Sequence, residues 1–155
     1  MNFAINITGI DEAIKQLEEY SDKLQRQQNE LCRRLAEMGA TNVSLMFARA
    51  IYTGDNDFSV SVDAVNNGYQ IIVSGKDVAF VEFGAGITYG FGHPQAAEFG
   101  AGPGTYPGKG HWDDPKGWYT PDGEHTFGNP PNMPMYNTVQ DLKREIARVA
   151  REVFA

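Results

Sequence analysis

From Gly84 to Pro131 this 155-residue chain packs twelve of its seventeen glycines and seven of its eight prolines. That crowding leaves little of the segment for helices or long strands, because glycine costs backbone entropy and proline lacks a donor N–H. Structureless stretches of this length are uncommon in compact domains and are usually functional or disordered. Disorder fits poorly here. Phe91, Phe99, Tyr106, Trp112, Trp118, Tyr119 and Phe127 are spread along the stretch, and disordered segments are poor in aromatics. So much ring area outside regular structure needs something to pack against, and a neighbouring copy or a partner protein is the expected surface.

The length fits a single domain over residues 1–155 with a loop insertion at about 84–132. No apolar run approaches the ~20 residues needed to span a bilayer. The opening Met-Asn-Phe-Ala-Ile-Asn-Ile-Thr has neither the basic nor the apolar region of a secretory signal, so none is expected. The single Cys32 excludes an internal disulfide framework and a multi-cysteine zinc site. A cytosolic assembly environment follows most simply.

The net charge of −7 is unevenly distributed. Residues 1–50 hold seven acids and six bases, residues 51–132 ten acids and three bases, and residues 133–155 three acids and four bases. Gripping a nucleic acid needs clustered Lys and Arg, and no such cluster exists. An acidic surface past which DNA slides remains compatible.

Phe3, Ile5 and Ile7 alternate with small or polar residues and predict a short strand. Thr8 and Asp11 resemble a capping box. Ile10, Ile14, Leu17, Leu24, Leu31, Leu35, Met38 and Leu45 then recur at steps of three, four and seven, which predicts an amphipathic helix, or two with a break near Tyr20 to Asp22. Its narrow stripe suits packing along a sheet, with a partner helix as the alternative. Thr53 to Asp57 is a dense turn signal. Phe58, Val60 and Val62 alternate with polar residues, Asn66-Asn67-Gly68 is hairpin chemistry, and Tyr69 to Val73 returns. Val78 to Phe83 reads as a third strand. After the proline-stiffened Asn129 to Tyr136, Asn137 or Thr138 is expected to cap a final helix with Val139, Leu142, Ile146, Val149, Ala150 and Val153 on one face. The fold class is α+β: an antiparallel sheet of about four strands packed by a long N-terminal and a C-terminal helix, with the long Gly/Pro/aromatic-rich loop between them.

No chemistry-bearing constellation stands out. His93, His111 and His125 lie in the loop near Glu98, Asp113, Asp114 and Glu124, but no pair has the helical spacing of the familiar metal motifs. Cys32 sits in the helical stripe far from any base, although Arg33 and Arg34 adjoin it. No serine stands in a nucleophile elbow. The glycines at 84–86 and 100–104 open no helix, so a phosphate cradle is not indicated. No catalytic residue, cofactor or metal is therefore expected. Glu82 is solvent-facing on its strand, or else buried and paired, for example with Arg49 or a neighbour's Arg.

Four pieces in order resemble a family of tailed-phage proteins: the neck or tail-completion proteins, also described as head–tail joining, tail-component or minor capsid proteins, of long-tailed phages and prophages. Ile5-Asn-Ile-Thr-Gly-Ile-Asp-Glu-Ala-Ile14 is similar to the family's strand and helix opening. Ala50-Ile-Tyr-Thr-Gly54 resembles its helix-ending Thr-Gly segment. Phe80-Val-Glu-Phe-Gly84 looks like its Tyr-Val-Glu-Phe-Gly-Thr stretch, and Pro131-Asn-Met-Pro-Met-Tyr136 resembles its Pro-Pro-Phe-Met segment. Ala85 stands where Thr is usual, Met135 replaces a frequent Phe, and the loop is longer than in the shorter members.

The resemblance implies a non-enzymatic virion component, assembled in the bacterial cytoplasm as a ring of six or twelve copies at the head–tail junction. DNA would pass through its lumen without sequence-specific binding, other neck and tail proteins would be its partners, and no membrane would be involved. A tail-terminator position at the tail end is the close alternative. A loop-based ligand- or metal-binding module outside virions is the distant one. Glu82, Phe83, Phe91, Phe99, Tyr106, Trp112, Trp118, Tyr119, Phe127, Met133 and Met135 are the expected interface residues, with the loop supplying one of the two patches a ring requires.

Overall fold

A computed structural model describes residues 8–52, 54, 56–86, 92–101, 114–120 and 122–155. Helix α1 spans Ile10–Ala48, the antiparallel strands β1 and β2 span Ser59–Val65 and Gly68–Ser74, and a short helix α2 spans Val78–Phe83. A 3-10 turn at Ala96–Phe99 and the two-residue strands β3 (Trp118–Tyr119) and β4 (His125–Thr126) follow, before helix α3 at Pro134–Phe154. The chain is thus mixed helix and strand, and its described strands form two separate two-stranded sheets.

The α1 helix runs without a break through Tyr20 to Asp22. It starts after Gly9, whose left-handed backbone (φ 92°) takes the place of the side-chain cap expected from Thr8. The helix has two unlike halves. Every residue from Thr8 to Arg26 is exposed, whereas Ala36, Gly39, Val43 and Phe47 are buried in its second half. There the β1–β2 hairpin and α3 close over it. Val60 pairs with Val73 and Val62 with Ile71 across the hairpin. Of these, Val60, Val73 and Ile71 pack against the fully buried Val43, Phe47 and Val81. In the two-residue connection Asn66–Asn67, Asn67 adopts a left-handed backbone (φ 64°), which asparagine tolerates better than most residues. The strand expected from Phe3 to Ile7 lies outside the described residues.

One element departs from its pattern. Val78 to Phe83 is a helix, not a third strand, so a four-stranded sheet is not formed by these residues. Val78, Val81 and Glu82 are spaced i, i+3, i+4 and share a helical face. Val81 and Glu82 are buried, and Val78 packs on the core. Six residues rich in β-branched and aromatic side chains favour a strand locally, but burial of that face overrides the preference.

Helices α1 and α3 run antiparallel. Thr138 Oγ1 meets Met46 Sδ, Asn42 donates to Asp141 at 3.2 Å, and Gln27 Nε2 donates to the Val153 carbonyl at 2.9 Å. Their close approach depends on Gly39. A Cβ there would sit 2.5 Å from Ile71 Cδ1 and 3.0 Å from Leu142 Cδ1. Along the exposed side, Glu30 accepts from both Arg33 and Arg34, which hold its carboxyl down from 4.5 to about 2. A depressed acid stabilises above its ordinary pKa and loses that effect as pH falls through the depressed value. Glu30 therefore supports α1 fully above pH 4.5 and progressively less towards pH 2.

Two outcomes are expected. Gly39→Leu lowers unfolding free energy by about 1–3 kcal/mol through overpacking. Gly39→Ala changes it by less than about 1 kcal/mol, because helix propensity offsets contact with flexible side-chain ends. Denaturant melts of the two variants check both.

Candidate functional site

The short helix α2 ends where α3 begins, and each end supplies what the other lacks. A helix N-terminus exposes N–H groups without partners, and a C-terminus exposes carbonyls. The Glu82 carboxylate accepts from Met135 N at 2.8 Å and Tyr136 N at 2.9 Å, the second and third residues of α3. In return, the segment before α3 covers the end of α2. Asn132 N donates to the Val81 carbonyl at 3.0 Å, Met133 N to the Glu82 carbonyl at 3.2 Å, and Asn129 Nδ2 to the Phe80 carbonyl at 2.8 Å. Pro134 opens α3 at a position where the missing N–H is no loss.

His93 completes the Glu82 shell. Its Nε2 lies 2.9 Å from Glu82 Oε1, and both residues are 6% exposed. Gln95 N donates to His93 Nδ1 at 3.0 Å, so Nδ1 is an acceptor and the ring proton sits on Nε2, pointing at Glu82. The imidazole is flanked by Phe83 and Tyr136, with centroid distances of 4.6 and 5.3 Å. A buried carboxylate accepting three hydrogen bonds, two at a helix N-terminus, is well compensated for its desolvation. Arg49, suggested by the sequence as its partner, plays no part in this shell. Both His93 nitrogens are engaged, so neither is available as a metal ligand.

Asn132 ties in a third segment. Its Oδ1 accepts from Ile51 N at 2.7 Å and its Nδ2 donates to the Ile51 carbonyl at 3.0 Å, mimicking a strand partner. Ile51 and the segments Phe80 to Gly84 and Pro131 to Tyr136 therefore meet here, through Glu82 and Asn132.

The loop is anchored on the same base. Ala85 and Asn129 exchange both backbone hydrogen bonds at 2.9 Å. Gly128 (φ 90°) lies so close to this bridge that a Cβ would be 1.9 Å from the Ala85 carbonyl oxygen. From the anchor rises the β3–β4 hairpin, with Trp118 buried at its foot. His125 Nε2 pairs with the Lys116 carbonyl, and its ring makes edge-to-face contacts with Tyr119 and Phe127, with centroids 4.9 Å from each. Among the described residues, no group of three or more His, Cys, Asp or Glu side chains is placed to hold a metal, and His111 lies outside them. Cys32 is half-buried on α1.

The expected interface residues thus divide. Glu82 and Trp118 are buried inside the chain, and Met135 packs against the core. Phe83 and Met133 are half-buried, Met133 in a left-handed conformation (φ 55°) just before α3. Phe99, Tyr119 and Phe127 are exposed. Phe91, Tyr106 and Trp112 lie outside the described residues. The sequence reading missed Asn129 and Asn132 as structural anchors. Their signal was present in an asparagine on each side of Pro130-Pro131, since asparagine side chains readily bond neighbouring backbone.

Comparison with protein-family models, with curated proteins and with solved structures returns no match.

Glu82→Ala leaves two helix N–H groups and the His93 Nε2–H without an acceptor. It is expected to cost about 3 kcal/mol or more in denaturant unfolding, since each of the three buried donors left without an acceptor costs about 1–3 kcal/mol. Glu82→Gln, which retains one acceptor oxygen, should cost less.

Proposed function

We propose that this chain is a structural building block of a tailed-phage head–tail junction, a neck or tail-completion protein that assembles as a ring through which DNA passes. The observation that carries the reading is the amount of apolar surface left uncovered on separate parts of one chain. Ile10, Ile14, Leu17, Tyr20 and Leu24 form an exposed stripe on α1. Val139 and Ile146 form another on α3, and Phe99, Tyr119 and Phe127 a third on the loop. Exposed apolar patches of this kind mark sites of interaction. A ring needs two different surfaces on each subunit, one for each neighbour, and a lone isologous patch would not serve.

The Phe80–Gly84 and Pro131–Tyr136 segments, two of those that carry the resemblance, share one physical role, the mutual capping of α2 and α3. The excess of acids between residues 51 and 132 is compatible with a lumen that DNA traverses without adhering. No helix among the described residues is long and apolar enough to cross a membrane.

Native mass measurement at micromolar protein should give a closed oligomer of six or twelve copies, and a strict monomer across that range would overturn the proposal. In a host producing the particles, loss of this chain should leave filled heads and unattached tails by electron microscopy. Intact particles would contradict it equally.

A further inference from the structure

The first half of α1 is a helical arm, exposed at every residue from Ile10 to Arg26. Gln27 bonds the end of α3, through the Val153 carbonyl. Beyond it, Ile10 to Arg26 extend roughly 25 Å at 1.5 Å per residue. A helix of this length without tertiary contacts is marginal in water. Its apolar side chains are nonetheless ordered into a seam: Ile10, Leu17 and Leu24 step by seven, with Ile14 and Tyr20 beside them, and Leu17 is 67% exposed. Leu31 and Leu35, both half-buried, continue the same line into the part of α1 where α3 packs. The seam is one surface, and the chain's own second helix covers only its distal half.

Helix α3 carries a matching seam on its outer side. Val139, Ile146 and Val153 also step by seven, and Val139 and Ile146 are exposed, as is Phe154 at the end. The charges along corresponding edges of the two seams differ in sign. At 100° per residue, Asp11 and Glu18 fall along one edge of the arm's stripe and Lys23 along the other, with Lys15 and Asp22, seven apart, sharing a line farther back. Lys143 falls along the edge of the α3 seam in the same rotational sense as Asp11 and Glu18, while Arg144 and Arg151 lie on the far side of the helix. All the acids of α3 (Asp141, Glu145 and Glu152) fall on its other flank. In an antiparallel helix pair, edges of the same rotational sense face each other. Antiparallel pairing of two arms would set acid against acid. Antiparallel pairing of an arm with α3 sets acid against base.

We infer that the α1 arm of one copy docks antiparallel on the outer face of α3 of the next copy, with Ile10, Leu17 and Leu24 against Val153, Ile146 and Val139. The contact is heterologous, because the donating and receiving surfaces are different parts of the same chain, which is the arrangement that closes rings. Intramolecular contact is excluded by length: the arm leads away from Gln27, while Ile146 lies about two turns back along α3 from Val153. The apolar seams supply affinity, and the flanking charges set orientation more than strength. This assignment rests on the ring reading for its head-to-tail geometry.

Mixing two singly substituted full-length chains in a Cys32→Ser background, one Leu17→Cys and one Ile146→Cys, tests it under mild oxidation. Both positions are exposed, so neither substitution disturbs the core. The expected result is a disulfide-linked pair of one chain of each kind, since a disulfide requires Cβ atoms within about 4 Å. Leu17→Glu should in addition raise the protein concentration needed for assembly by at least about tenfold. Efficient linking of Leu17→Cys to itself would overturn the assignment in favour of paired arms. Failure of the mixed pair to link, with a native mass that still shows a closed oligomer, would overturn it and leave the ring reading standing. A wild-type chain that stays monomeric would end both.

Discussion

A single buried carboxylate organises this protein. Glu82 sits at the end of a six-residue helix too short to be stable alone, and its side chain reaches the first turn of a helix more than fifty residues later in the chain. Loop closure over that distance is entropically costly only logarithmically, whereas an unpaired buried carboxylate would be prohibitive. The geometry therefore locks. Once Glu82 is inside, α3 must start at Pro134, the Asn129–Met133 segment must cover the end of α2, and His93 must fold in to complete the shell. The long glycine- and proline-rich insert is in this way fixed at both ends and at His93. Its β3–β4 hairpin stands on the Ala85–Asn129 bridge, and the rings of Phe99, Tyr119 and Phe127 are held outward from that base.

What could be read from the chain beforehand follows from how local each signal is. The β1–β2 hairpin was legible because alternation and the Asn66-Asn67-Gly68 turn are properties of adjacent residues. The body of α3 is legible from its apolar face, but the cap expected at Asn137 or Thr138 falls four or five residues past the actual one at Met133. No nearby side chain caps it, since the acceptor comes from Glu82. The same non-locality hid α2. Val78 to Phe83 has the composition of a strand, and only contact with Val43, Phe47 and the α3 terminus makes the i, i+3, i+4 face pay off as burial. Glu82 itself was recognised as exposed or as buried and paired. Its partners, a histidine and two backbone amides, carry no sequence mark that pairs them with it.

The two halves of α1 show how one periodic pattern can serve two environments. Over Leu31 to Phe47 the stripe is answered by the chain's own hairpin and α3, with Gly39 permitting close approach. Over Ile10 to Leu24 the same type of stripe is left exposed. Periodicity reports that a face wants covering, not whether the cover belongs to the same molecule. The sequence weighed sheet packing against a partner helix for this stripe, and the structure divides it between packing within the chain and an open arm. The exposed apolar surfaces and the folding centre are thus different residues. Glu82 and Asn132 hold the body together, while the arm, one face of α3 and the loop rings stay exposed.

Hydrogen exchange followed along the chain at low and at high protein concentration tests this division most directly. The account predicts slow exchange of the Met135 and Tyr136 amides at both concentrations, because Glu82 holds them within each folded chain. It predicts fast exchange of Ile14 to Arg26 when dilute, turning slow on assembly. An arm equally protected at both concentrations, or Met135 and Tyr136 amides exchanging like open backbone, would contradict it.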